Sequence, residues 1–213
     1  MKKFIASLSA ALVLLSAIAL TGCKSAIAPL GGNSVATKSA DIYSGEKLIG
    51  GEPVSFADTD ITLIKGKKSV YKVIIGSDAT VTEKYASEEL VYFLERSTGC
   101  KLEIATDENP DENGSYISVG DTKLLKAAGI VPDYAELGDN GVSIYTIGKN
   151  VYIAGAAEYG TLFSVYRFLY YQIGYRAYAY DHIEYDYFDE LKLKNFDYKY
   201  RPALGTVTAE DAE

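Results

Sequence analysis

Side chains that bind metals or act as nucleophiles are scarce in this sequence. It has two cysteines, Cys23 and Cys100, and one histidine, His182. Two cysteines cannot build a disulfide framework, and a lone histidine without a second ligand at the right spacing gives no zinc motif. A catalytic thiol at Cys100 would need His182 as its base, and the local sequence gives no sign of such a pair. We therefore predict a buried structural thiol at Cys100, with no metal site, no cofactor and no catalytic residue.

Positive charge is also in short supply. The chain has 21 Lys and Arg against 29 Asp and Glu, and a net charge of −8. Nucleic acids and anionic lipid headgroups both require clustered positive charge, so we exclude them as partners of the protein surface. Tryptophan is absent but there are 19 tyrosines, which can stack on sugars or fill half-buried faces, so their number alone decides nothing.

The N-terminus has the parts of a secretion signal. Two lysines precede an apolar stretch over residues 4–20, which is short for a membrane-spanning helix. Leu20–Cys23 (Leu-Thr-Gly-Cys) resembles the lipobox of bacterial lipoprotein signals, in which the cysteine receives a diacylglyceryl group and cleavage occurs just before it. The resemblance implies a signal peptide over residues 1–22 and an extracytoplasmic protein anchored to the membrane, or the outer membrane, through Cys23. A plain secretory signal and an uncleaved helix are the alternatives.

The rest of the chain divides by composition. Residues 23–45 are mainly small and polar and indicate a flexible tether behind the lipidated cysteine. Residues 46–200 have the length of one domain, and residues 201–213 form a polar tail. No later stretch is long and apolar enough to cross a bilayer.

The hydrophobic pattern predicts an α/β (α+β) domain. The predicted strands are residues 69–75, 101–104, 116–119, 142–147, 151–153, 175–180 and 182–185. The predicted helices are residues 81–97, 121–128 and 160–172. Thr80 with Glu83 fits a capping box, and Gly99 fits a helix end. A hairpin signal at residues 148–150 excludes an all-parallel sheet, so we predict a mixed, largely antiparallel sheet with two main helices packed on one face.

Three segments suggest chemistry that their details do not support. Residues 109–114 match the opening of an EF-hand loop, but the closing Glu would fall at Gly120, so we predict a polar connector with an Asn-Gly turn. The strand-to-helix segment 155–160 lacks the P-loop Lys and the dinucleotide glycine spacing, and we predict a tight turn. The late carboxylates show no pattern that would fix a glycosidase pair, so we predict a solvated acidic surface. They are Asp181, Glu184, Asp186, Asp189 and Glu190.

The order of several motifs resembles the non-catalytic N-terminal domain of a group of glycoside hydrolases. These motifs lie at residues 86–90, 93–94, 98–99, 117–120, 151–155, 160–169 and 173–176. In β-hexosaminidases, α-glucuronidases and many bacterial surface proteins this domain precedes the catalytic barrel. The resemblance implies a sheet with two helices between the sheet and the barrel, and catalytic carboxylates that belong to the barrel.

This chain stops about where such a barrel would begin, so no catalytic residue of the family has a position here. We predict a surface-anchored lipoprotein that carries the accessory domain of a glycan-degrading enzyme and is catalytically silent on its own. The alternative is a free-standing surface module that binds glycan or protein through its tyrosines. A self-sufficient hydrolase is the third hypothesis.

The helix over residues 160–172 is apolar nearly all round. One stripe, predicted to face the sheet, consists of Leu162, Tyr166, Leu169 and Ile173. Other bulky residues are predicted to point elsewhere, namely Phe163, Val165, Phe168, Tyr170 and Tyr171. Either the chain after Tyr180 folds back over them, or they form a docking face for a catalytic barrel in the same chain or another. The candidate docking residues are Phe163, Tyr170 and Tyr171.

Replacing Cys23 with Ala tests the anchor. We expect the Cys23→Ala protein to lose lipidation and cleavage at this site, because the thiol is the acyl acceptor in lipoprotein signals. Metabolic labelling with a fatty acid measures this directly. Unchanged label in the Cys23→Ala protein would contradict the prediction.

Overall fold

The computed structural model describes residues 55–109, 111, 113–157, 159–179 and 181–202. The predicted signal peptide, Cys23, the tether and residues 203–213 of the predicted tail lie outside the described residues. No helix in the described part of the chain is long and apolar enough to cross a membrane.

The described residues form strands and helices in alternation. The strands are β1 (Asp58–Lys65), β2 (Tyr71–Ile75), β3 (Glu103–Thr106), β4 (Ser115–Val119), β5 (Val142–Ile147), β6 (Asn150–Gly155), β7 (Arg176–Ala179), β8 (His182–Glu184), β9 (Glu190–Lys194) and β10 (Asp197–Tyr200). The helices are α1 (Val81–Thr98), α2 (Lys123–Ala127), α3 (Tyr134–Leu137) and α4 (Gly160–Ile173). The predicted α+β class is confirmed, whereas β1, β9, β10 and α3 were not predicted.

The main sheet is mixed. Its strand order is β10-β5-β6-β4-β2-β3, in which β6, β4, β2 and β3 run parallel while β5 and β10 join antiparallel. Two antiparallel ribbons, β1–β9 and β7–β8, complete the described sheets. The predicted hairpin joins β5 and β6 by a tight turn with Gly148 at a φ of 57°, so the antiparallel pairs lie at one side of the sheet and the parallel pairs at the other.

Local sequence signals define α1. The Thr80 hydroxyl accepts from the Glu83 N–H at 3.2 Å, and the Glu83 carboxylate accepts from the Thr80 N–H at 2.9 Å. Gly99 ends the helix with a φ of 71°, a conformation that favours glycine. Both predicted caps are confirmed. The apolar side of α1 is fully or nearly fully buried, and it consists of Ala86, Leu90, Phe93 and Leu94.

The main sheet has a hydrophobic cluster on each face. The larger cluster joins α1 and α4 to one face and to the β1–β9 ribbon. The smaller cluster, around Ile74, Tyr116, Leu124 and Leu125, brings α2 to the other face. The prediction that the two main helices pack on one face is therefore confirmed.

The sheet-facing stripe predicted for α4 is partly wrong. Leu162 and Tyr166 are only half-buried, whereas Val165 and Phe168, which were predicted to point elsewhere, are completely buried. The other two predicted stripe residues are buried as expected. The buried side of α4 is thus rotated from the predicted one.

The second covered side of α4 explains this difference. The chain after Tyr180 folds back, and the Phe196 ring lies 5.3 Å from the Phe168 ring. The Gln172 side chain donates to the Lys192 carbonyl at 2.7 Å and accepts from the Lys194 N–H at 3.1 Å, which seats β9 along the helix. The folding-back alternative is therefore correct for this side, and it supplies the second apolar environment that an almost wholly apolar helix requires.

Truncating Phe168 tests this arrangement. We expect Phe168→Ala to lower the free energy of unfolding by about 3–5 kcal/mol, because it opens a cavity between two packed layers. The matched control is Phe163→Ala on the same helix. Phe163 is 42% exposed, so we expect its truncation to lower the free energy of unfolding by less than about 1 kcal/mol. Urea unfolding measures both, and equal losses would contradict the assigned orientation of α4.

Candidate functional site

An open groove lies along the outward side of α4. Its cavity of about 540 Å³ is bounded by α4, β7 and the end of β10. Most of its lining is aromatic or guanidinium: Asn140, Val142, Phe163, Tyr166, Arg167, Tyr170, Tyr175, Arg176, Ala177, Tyr178, Tyr200 and Pro202. We call this the α4 groove.

Helical spacing aligns the α4 side of this groove. Phe163, Arg167 and Tyr170 follow one another at i, i+4 and i+7, and Tyr166 lies one turn from Phe163, so all four side chains share one side of the helix. Two of the three candidate docking residues, Phe163 and Tyr170, therefore line the α4 groove. The spacing around Arg167 was visible in the sequence, but Arg167 itself was not singled out.

The third candidate docking residue, Tyr171, lies elsewhere. Its ring packs edge-on against Phe56 at 5.0 Å and against Tyr198 at 5.5 Å. Burial raises the pKa of the Tyr171 hydroxyl. Tyr171 thus belongs to the side of α4 that β1 and β10 approach, and it borders a different, more polar cavity of about 380 Å³.

Arg176 builds one wall of the α4 groove. Its Nη1 donates to the carbonyls of Tyr170 at 3.1 Å and Tyr175 at 2.8 Å. Its guanidinium carbon lies 3.3 Å from the centre of the Tyr170 ring. Carbonyls near a helix C-terminus lack helical partners, so Arg176 both satisfies the end of α4 and fixes the Tyr170 ring.

Arg167 lies between two aromatic rings. Its guanidinium carbon is 5.8 Å from the Tyr170 ring centre and 5.2 Å from the Tyr200 ring centre, within the range of cation–π attraction. Among the described residues no carboxylate oxygen lies within 4 Å of Arg167, since the ion pairs of this part of the chain involve lysines and His182. Within the described part of the chain, Arg167 therefore lies near aromatic rings and has no anionic partner.

Tyr166 connects the groove to α1. Its hydroxyl donates to Glu89 Oε2 at 2.8 Å, and its ring stacks on Tyr175 at 5.5 Å. Desolvation by burial, followed by the bond to Glu89, raises the pKa of Tyr166 far above its usual range. The hydroxyl therefore stays protonated at neutral pH and acts as a donor, not as a base.

The lining of the α4 groove contains no carboxylate, histidine or cysteine among the described residues. A glycosidase mechanism needs two carboxyl groups at a defined separation, so this lining offers binding chemistry and not acid–base chemistry. The lining provides aromatic rings for stacking and two positively charged guanidinium groups.

The late carboxylates do not gather at one point. Glu184 pairs with His182 at 3.3 Å on the exposed β7–β8 ribbon, and Asp181 and Asp186 are exposed. Glu190 departs from the predicted solvated surface, because it is half-buried between Lys65 at 2.8 Å and Lys192 at 3.1 Å. Hydrogen bonds from these lysines lower the pKa of Glu190 to about 2, so Glu190 ties β1 to β9 as an ion-pair partner.

The remaining candidates have structural roles. Cys100 is buried, and desolvation raises the pKa of its thiol, as expected of an unreactive cysteine. In the loop considered for calcium, the Asp111 carboxylate accepts from the Asn113 N–H at 3.1 Å, and the Asp111 carbonyl accepts from the Gly114 N–H at 2.9 Å. No group of three or more potential metal ligands occurs within the described ranges.

A further cavity of about 500 Å³ lies beyond the carboxyl ends of the parallel strands, where open α/β sheets often bind ligands. Glu83 lines it, but its two oxygens already accept from the Thr80 and Asp121 N–H groups. The adjoining turn brings Gly155 against Gly160 so tightly that a Cβ on Gly155 would lie 1.9 Å from the Gly160 carbonyl carbon. The predicted tight turn is confirmed, and the carboxylate here holds the fold together.

Comparison with known proteins finds a family whose profile matches this chain. The profile of the family described as "Glycosyl hydrolase family 67 N-terminus" matches residues 59–168, which is just over half of the chain. A family GH115 4-O-methyl-α-glucuronidase with specificity for decorated arabinogalactans is a structural neighbour with 19% sequence identity and a TM-score of 0.38. That alignment covers 51% of this chain and 14% of the glucuronidase chain. A search of curated proteins finds no match.

Proposed function

Because this chain belongs to the glycosyl hydrolase family 67 N-terminus family, we propose that it is an accessory domain that docks beside a glycan-degrading catalytic domain. The observation that carries the proposal is the exposed aromatic side of α4 that lines the α4 groove. The match spans β1 to the middle of α4 and so includes the first half of this docking surface.

Exposed aromatic side chains on both main helices support docking. Tyr159, just before α4, is 49% exposed and Phe163 on α4 is 42% exposed, and on α1 Tyr85 and Tyr92 are exposed to a similar degree. Aromatic residues are enriched in protein interfaces and bury a large apolar area with few rotatable bonds. We expect the catalytic domain to cover this two-helix layer.

The proposal includes a membrane anchor. A diacylglyceryl group on Cys23, with the small polar residues 24–45 as a tether, would hold the domain outside the membrane while leaving it free to reorient. The alternative, a module that itself binds glycan in the α4 groove, is supported by the tyrosine lining. Binding to neutral oligosaccharides in affinity electrophoresis would favour that alternative.

Catalytic silence is the first test of the proposal. A protein of residues 40–213 retains every residue of both hydrophobic clusters, and we expect it not to cleave aryl hexosaminides or aryl glucuronides. Turnover that persisted after each late carboxylate was replaced would indicate a contaminant. Turnover that was lost in Glu184→Gln would instead show that the chain is a hydrolase and contradict the proposal.

The docking surface is the second test. We expect the folded protein of residues 40–213 to bind a hydrophobic dye or to self-associate. Phe163→Ser or Tyr170→Ser should reduce either signal at least about twofold. Phe163→Ser should change the free energy of unfolding by less than about 1 kcal/mol. Light scattering after size exclusion and dye fluorescence measure these effects. The control is Val131→Ser, an exposed apolar residue beyond α2 on the opposite face. A dye-silent monomer at high concentration would contradict the proposal.

A further inference from the structure

The α4 groove combines an apolar lining with two arginines that have no carboxylate oxygen within 4 Å in the part of the chain that the structure describes. Arg167 and Arg176 both lie at the Tyr170 ring. The groove lining carries no acidic residue among the described ones, although the whole chain has a net charge of −8. The groove is therefore a local positive site on an acidic protein.

The two arginines differ in how many of their hydrogen-bond donors are used inside the domain. Arg176 donates to two backbone carbonyls and stacks closely on Tyr170, so part of its donor capacity is used inside the domain. The guanidinium carbon of Arg167 lies 5.8 Å from the Tyr170 ring centre and 5.2 Å from the Tyr200 ring centre, and Arg167 donates no hydrogen bond to another described residue. Its N–H groups are therefore able to form the paired hydrogen bonds that suit a carboxylate.

Covering this groove has an electrostatic consequence. A guanidinium that loses its water without gaining an anion is strongly destabilised, whereas a paired and hydrogen-bonded one is not. A docked domain that buried Phe163 and Tyr170 would also bury Arg167, because the three share one side of α4. A purely apolar partner surface would therefore not fit this face.

We infer that the domain docking on α4 inserts an Asp or Glu side chain into the α4 groove, where it pairs with Arg167 between the Tyr170 and Tyr200 rings. This inference rests on the proposed docking function and names the chemistry of the partner surface. A buried Arg flanked by tyrosines has the composition of an interface hot spot, so Arg167 selects the partner and the surrounding aromatic residues exclude water.

The test uses ¹⁵N-labelled residues 40–213 and two blocked tripeptides, acetyl-Gly-Glu-Gly-amide and acetyl-Gly-Gln-Gly-amide. We expect the Glu peptide to shift the backbone amide signals of Phe163 and Tyr170 saturably, and more weakly as salt is added, because a charge pair is screened. The Gln peptide should bind at least about tenfold more weakly. Arg167→Gln should abolish the response, and Arg167→Lys should weaken it, since a lysine keeps the charge but not the planar fork.

The control variant is Arg96→Gln, which removes an exposed arginine of α1 that donates to Tyr185 and should leave the response intact. Equal shifts with both peptides, no saturable shift with either, or a response that survives in Arg167→Gln would overturn the inference. If the protein binds the dye or self-associates but does not bind the Glu peptide, the proposed docking function is supported and the inferred carboxylate on the partner is wrong. If a free sugar acid binds more than about tenfold tighter than the Glu peptide, the groove is a saccharide site and the inference is wrong.

Discussion

The close approach of Gly155 and Gly160 determines where α4 lies on the main sheet. The two residues end β6 and begin α4, and neither has room for a side chain, because a Cβ on Gly160 would also lie 2.8 Å from the Gly141 carbonyl oxygen. Ser164, one turn later, is fully buried and donates to the Ala154 carbonyl at 2.6 Å. The first turn of α4 therefore packs directly on β5 and β6, and this contact fixes the direction of the rest of the helix.

From this position α4 packs against three different elements. The sheet covers one side, α1 lies alongside, and the returning chain covers a further side through the Phe168–Phe196 contact and the Gln172 bonds to β9. The remaining side carries the aromatic and guanidinium groups of the α4 groove. Because the segment around Phe196 covers part of α4 that would otherwise be exposed, the exposed aromatic face is narrower than the helix composition suggests, and Tyr171 falls outside the groove.

The parts of the fold that depend on near neighbours could be predicted from the sequence. The caps at Thr80, Glu83 and Gly99 form within one helix, and the β5–β6 turn forms within one hairpin. Local sequence patterns are therefore enough to predict them. The β1–β9 ribbon and β10 depend on residues more than a hundred positions apart or on pairing across the sheet edge, which no local pattern specifies. The prediction of the buried side of α4 failed for a related reason. When nearly every position of a helix is apolar, periodicity cannot show which sides are covered, and here the second covered side is set by the distant Phe196.

The same limit explains why the candidate site was found only in part. Phe163 and Tyr170 were recognisable as surplus apolar residues on α4, but the meaning of Arg167 depends on Tyr200 from β10 and on Arg176 beyond the end of the helix. An arginine in the middle of an apolar helix adds nothing to core packing when its charge faces outward. Such a charge weakens association with any surface that lacks an anion and permits association with one that has it. In the proposed docking, the aromatic residues of this face would supply the apolar contact area, and the arginine among them would make the contact selective for a partner with an anion.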